Sequence, residues 1–171
     1  MTAPQRPVHG TVTVSRTLKA PPERVWAAFA DLDLRDRWFH IPGEDARHEL
    51  DFRIGGGEIA SGVFAPTGAP ETVEWRSRFL ELVEHRHLVF CYELRVDDVL
   101  RNLALVTVVL EPEGAGTRID YTEQYVIAAF TGGPGPDGRT VDEKHVRGSL
   151  PFLLNRLEAA LEDGREAPTR I

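Results

Sequence analysis

The stretch TVDEKHVRGSLPFLLNRLEAALED, residues 140–163, carries the chain's only sustained helical apolar stripe. Val146, Leu150, Leu153, Leu154, Leu157 and Leu161 recur at steps of three and four, which places them on one face of a helix. Thr140 followed by Glu143 reads as a capping box, and Gly164 reads as a stop. Burying each leucine contributes roughly 1.5–3 kcal/mol, so whatever covers this face holds much of the fold together. Pro151 interrupts the pattern; it lacks the N–H that a helix interior needs, so the helix must kink or start again there, and a kink is expected near Gly148 to Pro151.

Upstream, the period changes from 3.6 to 2. Val12 and Val14 alternate with Thr11, Thr13 and Ser15, predicting a strand over 11–18 after a loose tail at 1–9. Pro21 and Pro22 end it, and Pro22 opens a short helix with Val25, Trp26 and Phe29 on one side. Residues 31–37 read as a charged turn or second short helix leading to Trp38, Phe39 and Ile41. Six strand-like segments follow, over 46–53, 58–65, 71–82, 87–94, 100–111 and 117–127, joined by connections short enough for hairpins. The expected architecture is α+β: a curved antiparallel meander of about seven strands wrapped around the long C-terminal helix, with two short helices after the first strand. One domain over 10–163, with a tail at 164–171, suits 171 residues.

Parity assigns the inner face. Ile119, Tyr121, Glu123 and Tyr125 alternate with Arg118, Asp120, Thr122 and Gln124; Trp75, Ser77 and Phe79 oppose Glu74, Arg76 and Arg78; Leu88, Phe90 and Tyr92 form a third inward set. Residues 103–110 are apolar on both faces and parity does not orient them. Glu123 is the odd member of an aromatic interior. A carboxyl there has its pKa raised by desolvation and suits an acid, a base or a ligand anchor, or else is a core glutamate satisfied by Tyr, Trp, Arg or backbone donors. His40, Arg53 and His145 are candidates for the cavity mouth or ordinary surface groups. The Gly/Pro-rich 130–139 segment reads as an exposed loop, with a lid as the functional alternative.

Other chemistries find little support. The 27 acidic and 20 basic side chains leave a net charge of −7, which argues against a nucleic-acid partner. No apolar run is long enough to span a bilayer, and residues 1–10 lack the apolar core of a signal peptide, so cytoplasmic residence is expected. Gly55-Gly56-Gly57 is not followed by Lys and Ser/Thr and reads as a hairpin turn rather than a phosphate loop. His48-Glu49 opens like a zinc-protease motif, but Phe52 stands where the second histidine belongs; no metal and no cofactor are expected. The single cysteine, Cys91, reads as a packed hydrophobe rather than a nucleophile.

The ordered series Pro22-Glu23-Arg24-Val25-Trp26-Ala27-Ala28-Phe29, Trp38, Asp51-Phe52-Arg53-Ile54-Gly55-Gly56-Gly57, Phe79-Leu80-Glu81-Leu82-Val83, His87-Leu88-Val89-Phe90, Gly116-Thr117-Arg118-Ile119, Tyr121-Thr122-Glu123-Gln124 and Gly148-Ser149 with Leu153, Leu154 and Leu157 resembles the START-like (SRPBCC, Bet v 1-like) helix-grip superfamily. Within it, the chain is similar to the branch named after the activator of Hsp90 ATPase. The resemblance implies a cavity between sheet and helix, and relatives that bind lipids, sterols, polyketides or hormones or assist a chaperone. The leading expectation is a non-enzymatic protein holding a small hydrophobic or aromatic ligand, with Trp38, Trp75, Phe79, Phe90, Tyr92, Tyr121 and Tyr125 as walls and Glu123 as polar anchor. The alternatives are a cyclase- or dehydratase-like enzyme using Glu123 as acid/base and, by family name only, a regulator of an Hsp90-type ATPase. A homodimer through an edge strand is left open.

Overall fold

A computed structural model describes residues 6–65 and 68–162. In chain order the elements are β1 (Val8–Leu18), α1 (Pro22–Ala30), α2 (Leu32–Trp38), β2 (Glu44–Leu50), β3 (Glu58–Phe64), β4 (Glu71–Val83), β5 (His87–Val96), β6 (Val99–Glu113), β7 (Gly116–Ile127) and α3 (Val141–Leu161). The seven strands form one curved antiparallel sheet in the order β1-β7-β6-β5-β4-β3-β2, a meander in which the first strand returns to pair with the last. The helix-grip expectation holds.

Each element begins where its local chemistry dictates. Pro22 occupies the first turn of α1, where its missing N–H is no loss, and the Asp31 side chain caps α2 by accepting from the Leu34 N–H at 3.0 Å. The β5–β6 hairpin turns through Asp97 and Asp98, both with positive φ, as a two-residue primed turn requires. The Gly55-Gly56-Gly57 stretch is indeed a turn: the Gly56 N–H donates to the Arg53 carbonyl, and a Cβ on Gly57 would collide with the Ser77 carbonyl oxygen.

Two expectations need correction. β1 starts at Val8 rather than 11, so Val8 and His9, expected in the tail, pair with Ile127 and Val126. β2 ends at Leu50 rather than 53, because the chain turns at Asp51 and sends Phe52 into an edge-on contact with Trp26 and Phe79. α3 runs through Pro151 as one helical segment, and the Thr140 hydroxyl accepts from the Glu143 N–H at 3.1 Å, the expected cap. Gly164 and the rest of the expected tail at 164–171 lie outside the described residues, as do residues 1–5.

The core sits between the concave face of the sheet and α3. Val146, Leu150, Leu154 and Leu157 of the helix are buried in one cluster with Phe90, Val106, Val108, Ile119 and Tyr121, while Leu153 and Leu161 are half-buried at the rim. The parity reading of β7 is reproduced: Ile119, Tyr121, Glu123, Tyr125 and Ile127 face inward. β6, unreadable by parity, turns Asn102, Ala104, Val106, Val108 and Leu110 inward and leaves Leu103 and Leu105 on the outer face.

Candidate functional site

The grip does not close completely over the sheet. Between α3, α2 and strands β4 to β7 lies a cavity of about 230 Å³, lined among others by Trp38, Phe39, Trp75, Tyr92, Tyr121 and Glu123 and, from the helix, by Val146, Leu150, Leu153 and Arg156. It adjoins a recess of about 380 Å³ beside the 128–140 loop, the two sharing Ile41, Leu94, Asn102, His145 and Val146. Sheet curvature and the inward alternation of β4, β5 and β7 supply the aromatic wall. Trp75 stacks on Tyr92 with centroids 5.4 Å apart and meets Phe39 edge-on at 4.6 Å.

At the floor of this wall Glu123 is 5% exposed. The Tyr92 hydroxyl donates to Glu123 Oε1 and accepts from Asn102 Nδ2 at 3.2 Å. Burial pushes the Glu123 carboxyl up to about 7, against the opposing pull of the Tyr92 hydrogen bond. Burial and the neighbouring carboxylate likewise hold the Tyr92 phenol well above its usual pKa. Tyr121, also on this wall, has its pKa raised by burial and by the same carboxylate.

A second polar group closes the α2 end. Arg35 grips Glu58 with both arms, Nε to Oε1 at 2.7 Å and Nη2 to Oε2 at 2.9 Å, and its guanidinium lies 4.2 Å from the ring centroids of both Trp38 and Phe39. His48 bridges outward: Nε2 is 2.6 Å from Glu58 Oε1 and Nδ1 is 2.8 Å from Asp36 Oδ1. A ring nitrogen facing a carboxylate must donate, so both nitrogens carry a proton and His48 is an imidazolium. Burial works against that charge, but the hydrogen bonds to Glu58 and Asp36 outweigh it and raise the pKa. Glu58 is a mirror case: burial favours its neutral form, yet the Arg35 charge and the bonds from His48 and Arg35 hold its pKa below the usual value. Two cations and two carboxylates cancel, which is how a buried Glu58 is tolerated.

Of the side chains expected at the site, Trp38, Trp75, Tyr92, Tyr121 and Glu123 come together on the cavity wall, as do His40 and His145. Phe90 packs edge-on beside Trp75, Phe79 beside Phe90, and Tyr125 directs its hydroxyl to Glu143 at 3.3 Å and Arg147 at 3.4 Å; none of these three lines the cavity. Arg53 is a surface partner of Asp51. Arg35, Glu58, Asn102 and Arg156 belong to the site without any signal in the sequence. Residues 31–37 read as a charged turn or short helix, and nothing in their order marks Arg35 as buried; its apolar sandwich comes from Trp38 and Phe39 only once the helix winds. Among the described residues no cluster of three metal-ligating side chains exists, and no helix is long and apolar enough to cross a membrane.

The family model for activator of Hsp90 ATPase homolog 1-like protein matches residues 19–162. The chain belongs to that family. The family falls within the START-like (SRPBCC) superfamily, and solved structures of the same fold agree. The Mll3558 protein from Rhizobium loti is 35% identical, with 91% of this chain and 99% of that chain covered and a TM-score of 0.71. A protein from Rhizobium leguminosarum is 26% identical over 93% of this chain and 98% of its own, at a TM-score of 0.77. DynU16, from the dynemicin biosynthetic locus, shares the fold alone, at 16% identity over 93% of this chain and 49% of that chain, TM-score 0.64. No curated protein matches the chain. For this family member the motif series from Pro22 to Leu157 and the observed elements coincide over most of the chain.

Proposed function

We propose that this family member binds a small, largely apolar ring compound in the cavity between sheet and α3, with Trp38, Trp75, Tyr92 and Tyr121 against its faces and Glu123 as the polar anchor. The observation that carries this reading is Glu123 itself. A carboxyl with one hydrogen-bond partner on an aromatic, water-poor wall is costly to fold, and a ligand hydroxyl, carbonyl or amine would complete its bonding. Phe79 and Phe90 back the wall, and Tyr125 ties β7 to α3.

The test compares the native and denatured masses of freshly purified protein, followed by titration with naphthalene-sized probes. A discrete extra mass, or saturable binding, supports the reading; a clean apo mass with no probe binding sinks it. One observation favours a second reading, a cyclase- or dehydratase-like proton transfer: a carboxyl that titrates at about 7 is matched to acid–base work near neutral pH. In an enzyme, Glu123→Gln would lose turnover far more than affinity; in a binding protein only affinity changes. Regulation of an Hsp90-type ATPase rests on the family description alone.

A further inference from the structure

Arg156 stands on α3 in the wall of the same cavity, and its hydrogen bonding is incomplete. Its Nε is buried with no partner. Its Nη2 lies 3.2 Å from His40 Nδ1 and 3.5 Å from the Arg37 carbonyl oxygen. His40 Nδ1, however, is also 2.8 Å from the Asp36 carbonyl oxygen. A carbonyl oxygen only accepts, so that shorter contact places a proton on Nδ1, and a protonated Nδ1 has no lone pair for Arg156. What remains is the Arg37 contact, at the long limit of hydrogen bonding.

No carboxylate among the described residues lies within ion-pair distance of this guanidinium; the one charge that acts on it is the more distant Asp36. Arg35, a few side chains along the same wall, shows the contrast: its Nε and Nη2 are both matched by Glu58. A partly buried cation with unmet donors costs free energy unless an acceptor arrives. The acceptor it fits is an anion with two coplanar oxygens. Arg156 and Glu123 stand on different elements of the cavity wall, α3 and β7, and among the described residues no hydrogen bond or ion pair joins them.

We propose that the ligand is an aromatic or alicyclic acid, its carboxylate docked on Arg156 and its ring system against Trp75, Phe39 and Leu153. The inference rests on the cavity being a ligand site and adds the ligand's charge. It is tested by isothermal titration calorimetry with two probes of one shape, 2-naphthoate and the neutral 2-naphthamide, on the wild type, Arg156→Gln and Arg156→Lys. The acid is expected to bind the wild type at least about tenfold more tightly than the amide. Arg156→Gln should bring that ratio close to one by weakening the acid alone, and Arg156→Lys, which keeps the charge, should retain much of it. Equal binding of both probes to the wild type, or a preference that survives in Arg156→Gln, overturns the anionic end and leaves the cavity reading standing. If neither probe binds the wild type, the cavity reading fails and the inference falls with it.

Discussion

Glu123 illustrates how one side chain couples fold to function. Its carboxyl has a pKa of about 7 in the folded chain against 4.5 in the open chain, so it holds its proton more tightly when folded. The resulting stabilisation is complete below pH 4.5 and is lost as pH rises through about 7, an interval worth roughly 3 kcal/mol. Glu123→Gln removes that dependence: urea denaturation should show the variant gaining on the wild type between weakly acidic and weakly alkaline pH, and parallel curves would contradict the assignment. Arg35 and Glu58 behave differently because each is the other's counter-ion. Arg35→Met or Glu58→Gln leaves a buried charge poorly compensated, and each should cost about 3–5 kcal/mol in denaturant unfolding. The double variant should cost less than the sum, since the second change removes the charge that the first orphaned.

Among the elements, α3 combines strong packing with a local fault. Leu150, Leu154 and Leu157 are buried almost completely, so the helix is anchored along its length. Pro151 nevertheless cannot donate to the Arg147 carbonyl four residues back. Pro151→Ala restores that bond and should stabilise the protein by up to about 3 kcal/mol, read as a raised thermal midpoint; a lowered midpoint would show that the proline shape is needed against the sheet. The 128–140 loop beside the recess is fastened through Asp142. That side chain accepts from the Thr131 N–H at 2.8 Å and its hydroxyl at 3.1 Å, and pairs with Arg101 at 3.0 Å. Asp142→Ala should therefore speed limited proteolysis within 130–139 while changing the global unfolding free energy by no more than about 1 kcal/mol.

For the whole molecule the buried titrating groups act in opposite directions. Glu58, with a lowered pKa, stabilises the fold above pH 4.5, and this is lost as acid carries the pH down through its folded value. His48, with a raised pKa, stabilises it below pH 6.5, and this is lost as pH climbs through its folded value, in the same sense as Glu123. Unfolding free energy should accordingly peak in the weakly acidic range and decline on both sides. A series of urea melts across pH measures this, and a steady rise through neutrality would refute it.

Much of the architecture is legible in the residue order because periodicity is a local property. The leucine spacing of α3, the Thr140 cap, Pro22 at the start of α1 and the inward run from Ile119 to Tyr125 follow from backbone geometry that each segment imposes on itself. The strand ends and the orientation of β6 are not local. Val8 is a strand residue because Ile127 lies opposite it, and Leu103 faces outward because Asn102 and Ala104 take the concave side. The site divides in the same way. Alternation places Glu123 on an aromatic inner face, whereas the Arg35–Glu58–His48 group joins residues from α2, β3 and β2 whose separation in the chain makes no pattern. The order of residues is enough to say which faces must be buried, since apolar surface and hydrogen-bonding backbone leave a segment few choices. Which charges meet across those faces, and which, like Arg156, are left short of acceptors, depends on the assembled chain, because a charge is matched by whatever the completed fold brings within reach.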